Sequence, residues 1–151
     1  MYVGHINLEK SFNLTAENFV ALIDSLQQLE LKQYVIVRNT ALARRLDGLN
    51  NVTVGPVVRS PITAYCLMPP VDVVHIHDHS GWQAGLLLFL TKSIPFVLTQ
   101  REANSDANSS LASSIYKRAA GLIDETEMSA GEHLHVYRSA TSSLRIPTMI
   151  L

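Results

Sequence analysis

Residues Val71–Gly85 read VDVVHIHDHSGWQAG, and the reading of this stretch decides the fold. Val71 to Ile76 is mostly apolar and β-branched, as a strand covered on both faces requires, which points to a parallel sheet. Side chains alternate along a strand, so His75 and His77 share one face while Ile76 takes the other. His77, Asp78 and His79 then fall at a strand-to-helix turn. Ser80 is placed to cap a helix running to about Thr91, whose Ala84 and Gly85 allow close approach to the sheet.

Upstream, Tyr2–Ile6 reads as a first strand. Thr15 is placed to cap a helix from Ala16 to about Leu29, in which Phe19, Leu22, Ile23, Leu26 and Leu29 share one face. Tyr34–Val37 and Val52–Val54 read as the second and third strands, with a short helix between them from Thr40 to Leu46, closed by Gly48. Ser60–Met68 is a helical turn or two, stopped by Pro69 and Pro70. Downstream, Phe96–Thr99 is a fifth strand with Pro95 at its start. Asn104–Ser110 (NSDANSS) is a loop of turn formers, followed by a helix from about Ser109 to Ala119 and a strand over Gly121–Asp124. The last apolar stretch is Ile146–Leu151.

Strand and helix alternate throughout, without a repeat or a dividing linker. The expectation is one domain over residues 1–151, an α/β Rossmann-like, doubly wound, mostly parallel sheet with helices on both faces. Ligands in such folds sit beyond the carboxyl ends of the strands, where strand order reverses. That places Asn7-Leu8-Glu9-Lys10, His77-Asp78-His79 and Gln100-Arg101-Glu102 nearest a site.

Composition agrees with a globular fold: of 151 residues, 47% are hydrophobic and 17% charged. A net charge of −1, with no basic run longer than Arg44-Arg45, argues against nucleic acid as a partner. Cys66 is the single cysteine, read as a small buried side chain, so no internal disulfide forms and a reducing cytoplasm is the natural compartment. MYVGHINLEK lacks the pattern of a signal peptide, and the longest apolar run, Leu86 to Leu90, is far too short to cross a bilayer. The expected location is the cytoplasm, including peripheral contact with the inner face of the membrane.

The histidine cluster admits several readings. His75, deeper in the strand, is either a hydrogen-bonded core histidine or a functional one. His-x-His after a strand also opens the metal sites of amidohydrolases and PHP-type phosphoesterases, which HIHDHSGW superficially resembles. Those enzymes draw further ligands from later strands of a barrel, and here the remaining histidines are His5, His133 and His135. An eight-stranded barrel needs about 200 residues or more. The expectation is therefore a metal-free cleft rather than a metal cage. GxSxG, GxGxxG and Walker sequences are all absent, and no residue is assigned as catalytic.

The run from Val71 to about Glu127 resembles the N-terminal domain of retaining glycosyltransferases with the GT-B fold, the group that includes glycogen and sucrose synthases. In that group a strand of the form P-D-V-V-H-x-H precedes a helix of small and apolar residues. An (I/V)-P-x-V-x-T strand and an R-A-D-x-(I/V)-I strand come next. This chain has PPVDVVHIHDHSGWQAGLLL, SIPFVLTQRE and KRAAGLIDETE in the same order and spacing. It departs in lacking the family's Gly-Gly turn after the first strand, where it has Glu9-Lys10-Ser11-Phe12-Asn13. The second, donor-binding domain of the family has no counterpart in these 151 residues.

The resemblance implies the acceptor-side half of a sugar transferase, receiving a sugar or glycolipid acceptor. His77, Asp78, His79, Arg101 and Glu102 would line its cleft around the acceptor. Arg101 offers a planar cationic fork for phosphate or carboxylate, and Glu102 accepts from sugar hydroxyls, although a solvated ion pair suits the same two residues. The chain itself would hold no cofactor. A nucleotide sugar would be the donor of hexosyl transfer only with a donor-binding C-terminal partner, and the chain alone would be inactive. A domain shaped to face another is expected to self-associate, with IPTMIL as an added edge strand. Two other classes stay open: a non-catalytic protein-binding module of the same fold, and a small metal-dependent hydrolase built on HIHDH.

Overall fold

A computed structural model of the chain describes residues 1–100, 110–124 and 136–137. The strands are β1 (Tyr2–Asn7), β2 (Lys32–Val37), β3 (Val52–Val54), β4 (Val73–Ile76), β5 (Phe96–Gln100), β6 (Gly121–Asp124) and β7 (Val136–Tyr137). The helices are α1 (Leu14–Ser25), α2 (Thr40–Leu46), α3 (Pro61–Leu67), α4 (Trp82–Lys92) and α5 (Ser110–Arg118). The seven strands form one sheet in the order β3-β2-β1-β4-β5-β6-β7. Neighbours from β3 through β6 pair in parallel, and only β7 runs antiparallel, against β6. This is the doubly wound, mostly parallel sheet that the alternation of elements implies. Among the described residues no helix is long and apolar enough to cross a membrane.

Strand order reverses between β1 and β4, and β1 is the most enclosed strand, buried from Val3 through Asn7. Helices cover both faces. α1 and α2 close one face over a core of Ala16, Phe19, Ile23, Val35, Val37 and Leu42. α3, α4 and α5 close the other over Ile6, Ile36, Val74, Ile76 and Leu98. Gly85 lets α4 lie directly on the sheet, because a Cβ there would stand 3.0 Å from Ile76 Cγ1 and 3.3 Å from Phe96 Cδ2. Gly48 has φ +96°, a left-handed conformation open to glycine just past α2.

Several local expectations are corrected. Asn13, not Thr15, caps α1: its backbone is extended and its Oδ1 accepts the Ala16 N–H at 3.1 Å. The last residues of the expected first helix, Leu26–Leu29, wind instead as a 3-10 turn, which tightens the end and closes on Glu30 at φ 54°. Asp78, not Ser80, is the capping residue after β4, because a 3-10 turn over His79–Gly81 precedes α4. β4 begins at Val73 rather than Val71, and the Asp72 carboxylate accepts the Tyr2 N–H at 2.7 Å. Cys66 is exposed on α3 rather than buried. The loop over 104–109 and the apolar stretch Ile146–Leu151 lie outside the described residues.

Candidate functional site

Alternation along β1 and β4 sends His5, His75 and His77 to the face covered by α1. The register then sets them side by side, His5 opposite both Val35 of β2 and His75 of β4. The buried polar side chains among the described residues are His5, Asn7, Gln33, His75, His77 and Thr99. All six fall on this one face, because Gln33 pairs with Val3, Asn7 with Val37, and His75 with Val97, two residues before Thr99. The buried side chains on the opposite face of the same strands, Ile6, Ile36, Val74, Ile76, Phe96 and Leu98, are apolar. A polar seam therefore runs through the interior at the reversal of strand order.

The histidines are close-packed. Nδ1 of His5 lies 3.1 Å from Nε2 of His77, and Nε2 of His75 lies 2.6 Å from Thr99 Oγ1. The His75 and His77 rings are 3.8 Å apart at their centroids. Phe19, from α1, meets the His77 ring edge-on at 4.5 Å and closes the seam from above. Burial above all, then the neighbouring His75, holds His5 well below the usual histidine value, against an opposing pull from the Gln33 amide. The neutral ring this favours has one N–H and one lone pair to place. Gln33 Nε2 donates to the Ile23 carbonyl at 3.0 Å, while neither Gln33 Oε1 nor His5 Nε2 reaches a well-formed hydrogen bond.

The residues expected to share a cleft are placed differently from one another. His77 is buried in the seam. Asp78 turns to the loop after β1: its Oδ2 accepts the Leu8 N–H at 2.5 Å, and its Oδ1 accepts the Gly81 N–H at 3.2 Å. It thereby ties the β1–α1 loop to the β4–α4 turn, at the reversal of strand order. Burial pushes its carboxyl up, as does nearby Glu9, while the N–H groups of Leu8, Ser80 and Gly81 draw it down. His79 is exposed, its ring edge-on to the buried Trp82 at 4.4 Å, and Trp82 in turn packs against Tyr116 at 5.1 Å. Arg101 and Glu102 lie outside the described residues.

The sequence reading held His5 only as a remaining candidate and did not mark Gln33 or Thr99. The signal for His5 was the period of two in β1 combined with the adjacency of β1 and β4 in a doubly wound sheet. Gln33 and Thr99 look like ordinary strand residues until the register sets them beside imidazoles.

Chemically, the site has two parts. Inside is a seam of buried imidazoles with amide and hydroxyl neighbours. At the rim, Asp78 fixes two loops and His79 faces solvent. No protein-family model matches the chain, and no curated protein does.

Proposed function

We propose that the chain is the acceptor-side half of a GT-B-type retaining glycosyltransferase, binding a sugar or glycolipid acceptor at the rim formed by the β1–α1 loop and the β4–α4 turn. One observation carries this reading: each motif of the resemblance falls in the element it would need. PPVDVVHIHDHSGWQAGLLL runs through β4 into α4, SIPFVLTQ leads through β5, and KRAAGLID passes from the end of α5 through β6. The strands carrying them are neighbours in a sheet whose order reverses at β4, the place where doubly wound folds take ligands.

Within this reading the residues divide the work. Asp78 positions the two loops and keeps further lone pairs for a hydroxyl. His79, exposed beside Trp82, donates to and accepts from sugar hydroxyls. A donor-binding domain supplies the nucleotide sugar, and the chain alone performs no transfer.

The test is a binding and transfer panel with the purified chain. Saturation-transfer NMR is run against mono- and oligosaccharides and soluble glycolipid headgroups, alongside transfer assays with labelled nucleotide sugars. The expected result is binding of one acceptor class, weakened about tenfold by His79→Ala, roughly the 1.4 kcal/mol of one lost hydrogen bond. No transfer is expected. Tight binding of a nucleotide sugar, or transfer by the isolated chain, contradicts the proposal.

A further inference from the structure

We infer that His5, His75 and His77 form a binding site for a late transition-metal ion of the zinc class, inside the sheet-to-α1 layer. This inference does not rest on the sugar-acceptor reading, and neither residue set depends on the other. The three side chains are buried, and each offers a ring nitrogen such that all three atoms lie within 4.8 Å of one another. Tetrahedral zinc with nitrogen ligands at about 2.0–2.1 Å sets neighbouring nitrogens about 3.3 Å apart. The His5 Nδ1 and His77 Nε2 pair stands at 3.1 Å, already near that spacing.

The surroundings match what metal-bound imidazoles use. A ligating histidine places its other ring nitrogen on a carbonyl, carboxylate or similar partner, which sets tautomer and orientation. Thr99 Oγ1 contacts Nε2 of His75 at 2.6 Å. For His5, the atom on the far side of the ring from His77 is Nε2, a buried atom without a hydrogen bond, and Gln33 Oε1 is a buried acceptor in the same condition. The amide acts on the His5 ring as a hydrogen-bonding neighbour that favours its protonated side. A hydrogen bond from the His5 Nε2–H to Gln33 Oε1 would leave the Nδ1 lone pair of His5 for the metal.

An all-imidazole set selects zinc, copper, nickel or cobalt over magnesium and calcium, which prefer oxygen. Three protein ligands leave one tetrahedral position for water or another small ligand.

The experiment uses the full chain, stripped with chelator and dialysed against one equivalent of zinc, with bound metal measured by plasma mass spectrometry and affinity by a chromophoric competitor. One zinc per chain is expected, with no response to magnesium. Cobalt(II) in its place is expected to give the intense d–d absorption of a four-coordinate site. His5→Asn is expected to abolish stoichiometric binding, and Thr99→Val to weaken it about 10- to 100-fold, as loss of an outer partner does. His79→Ala and the double variant His133→Ala with His135→Ala are expected to retain the metal. Should His5→Asn fail to fold, the cobalt spectrum of the wild-type chain and the milder Thr99→Val carry the test. No stoichiometric metal on the wild-type chain, an octahedral cobalt spectrum, or loss of metal with the His133/His135 pair instead overturns the inference.

Discussion

Nδ1 of His5 and Nε2 of His77 stand 3.1 Å apart although 72 residues separate them in sequence. The contact exists because β1 and β4 pair in parallel and the histidines alternate onto the same face. It makes the reversal of strand order a polar place in an otherwise apolar interior.

Acid should weaken the metal-free protein. The folded-state value of His5 lies well below the ordinary 6.5, chiefly through burial. The unfolded chain therefore binds more protons than the folded one once pH falls below about 6.5, and stability drops with acidification. His75, in ring contact with His5, adds to this lowering, the Gln33 amide opposes it, and Phe19 offers no charge to balance a protonated ring. Urea unfolding of chelator-treated protein should give midpoints that fall between pH 7 and pH 5, and His5→Asn should flatten the trend. An equally steep fall in that variant would remove His5 from the explanation.

Phe19 is 1% exposed and lies over two of the imidazoles. Phe19→Ala should cost about 3–5 kcal/mol, the range for emptying a large aromatic site. Chemical denaturation measures it, and a loss below about 1 kcal/mol would show that α1 does not close the seam as described.

At Gly81 a Cβ would stand 2.8 Å from Ile76 Cγ2 and 3.2 Å from Ile6 Cγ2. Both neighbours are fully buried branched side chains, so Gly81→Ala forces the turn after β4 off the sheet. The expected cost is about 1–3 kcal/mol, the usual range for overpacking, read as a lowered denaturation midpoint. An unchanged midpoint would mean that the turn yields freely.

How much of this was legible in sequence follows from what each residue does. Val71–Ile76 announced a buried parallel strand because apolar, β-branched character suffices for that, and glycine at position 85 announced close packing. Asn13 and Asp78 were missed as caps because Thr15 and Ser80, two residues on, are equally good capping types. Only backbone geometry distinguishes them. The seam was half legible: HIH on one strand was visible, but its partners on β1, β2 and β5 are fixed by register, which no local pattern encodes. Exposure of Cys66 likewise depends on which side of the short α3 meets the sheet.

Asp78 offers a way to separate charge from hydrogen bonding. Its carboxyl is raised, first by burial, so the charged form is disfavoured in the folded state and the group costs stability as pH climbs through its folded value. Asp78→Asn removes that charge and keeps an acceptor for Leu8 or Gly81, and its stability at pH 7 should stay within about 1 kcal/mol of wild type. Asp78→Ala strands both N–H groups and should lose about 1–3 kcal/mol. Equal losses in the two variants, compared by thermal and urea unfolding, would show that the carboxylate charge itself holds the loops together.

The most direct test of the proposed acceptor site is chemical-shift mapping on the uniformly labelled chain. Backbone amides are followed while the acceptor identified by saturation transfer is added, and separately while nucleotide sugars are added. The account predicts that acceptor moves the amides of Leu8, Glu9 and Lys10 together with those of Asp78, His79 and Ser80, and that nucleotide sugars move neither group. Shifts confined to residues remote from these two loops, or a saturable response of both loops to a nucleotide sugar alone, would contradict it.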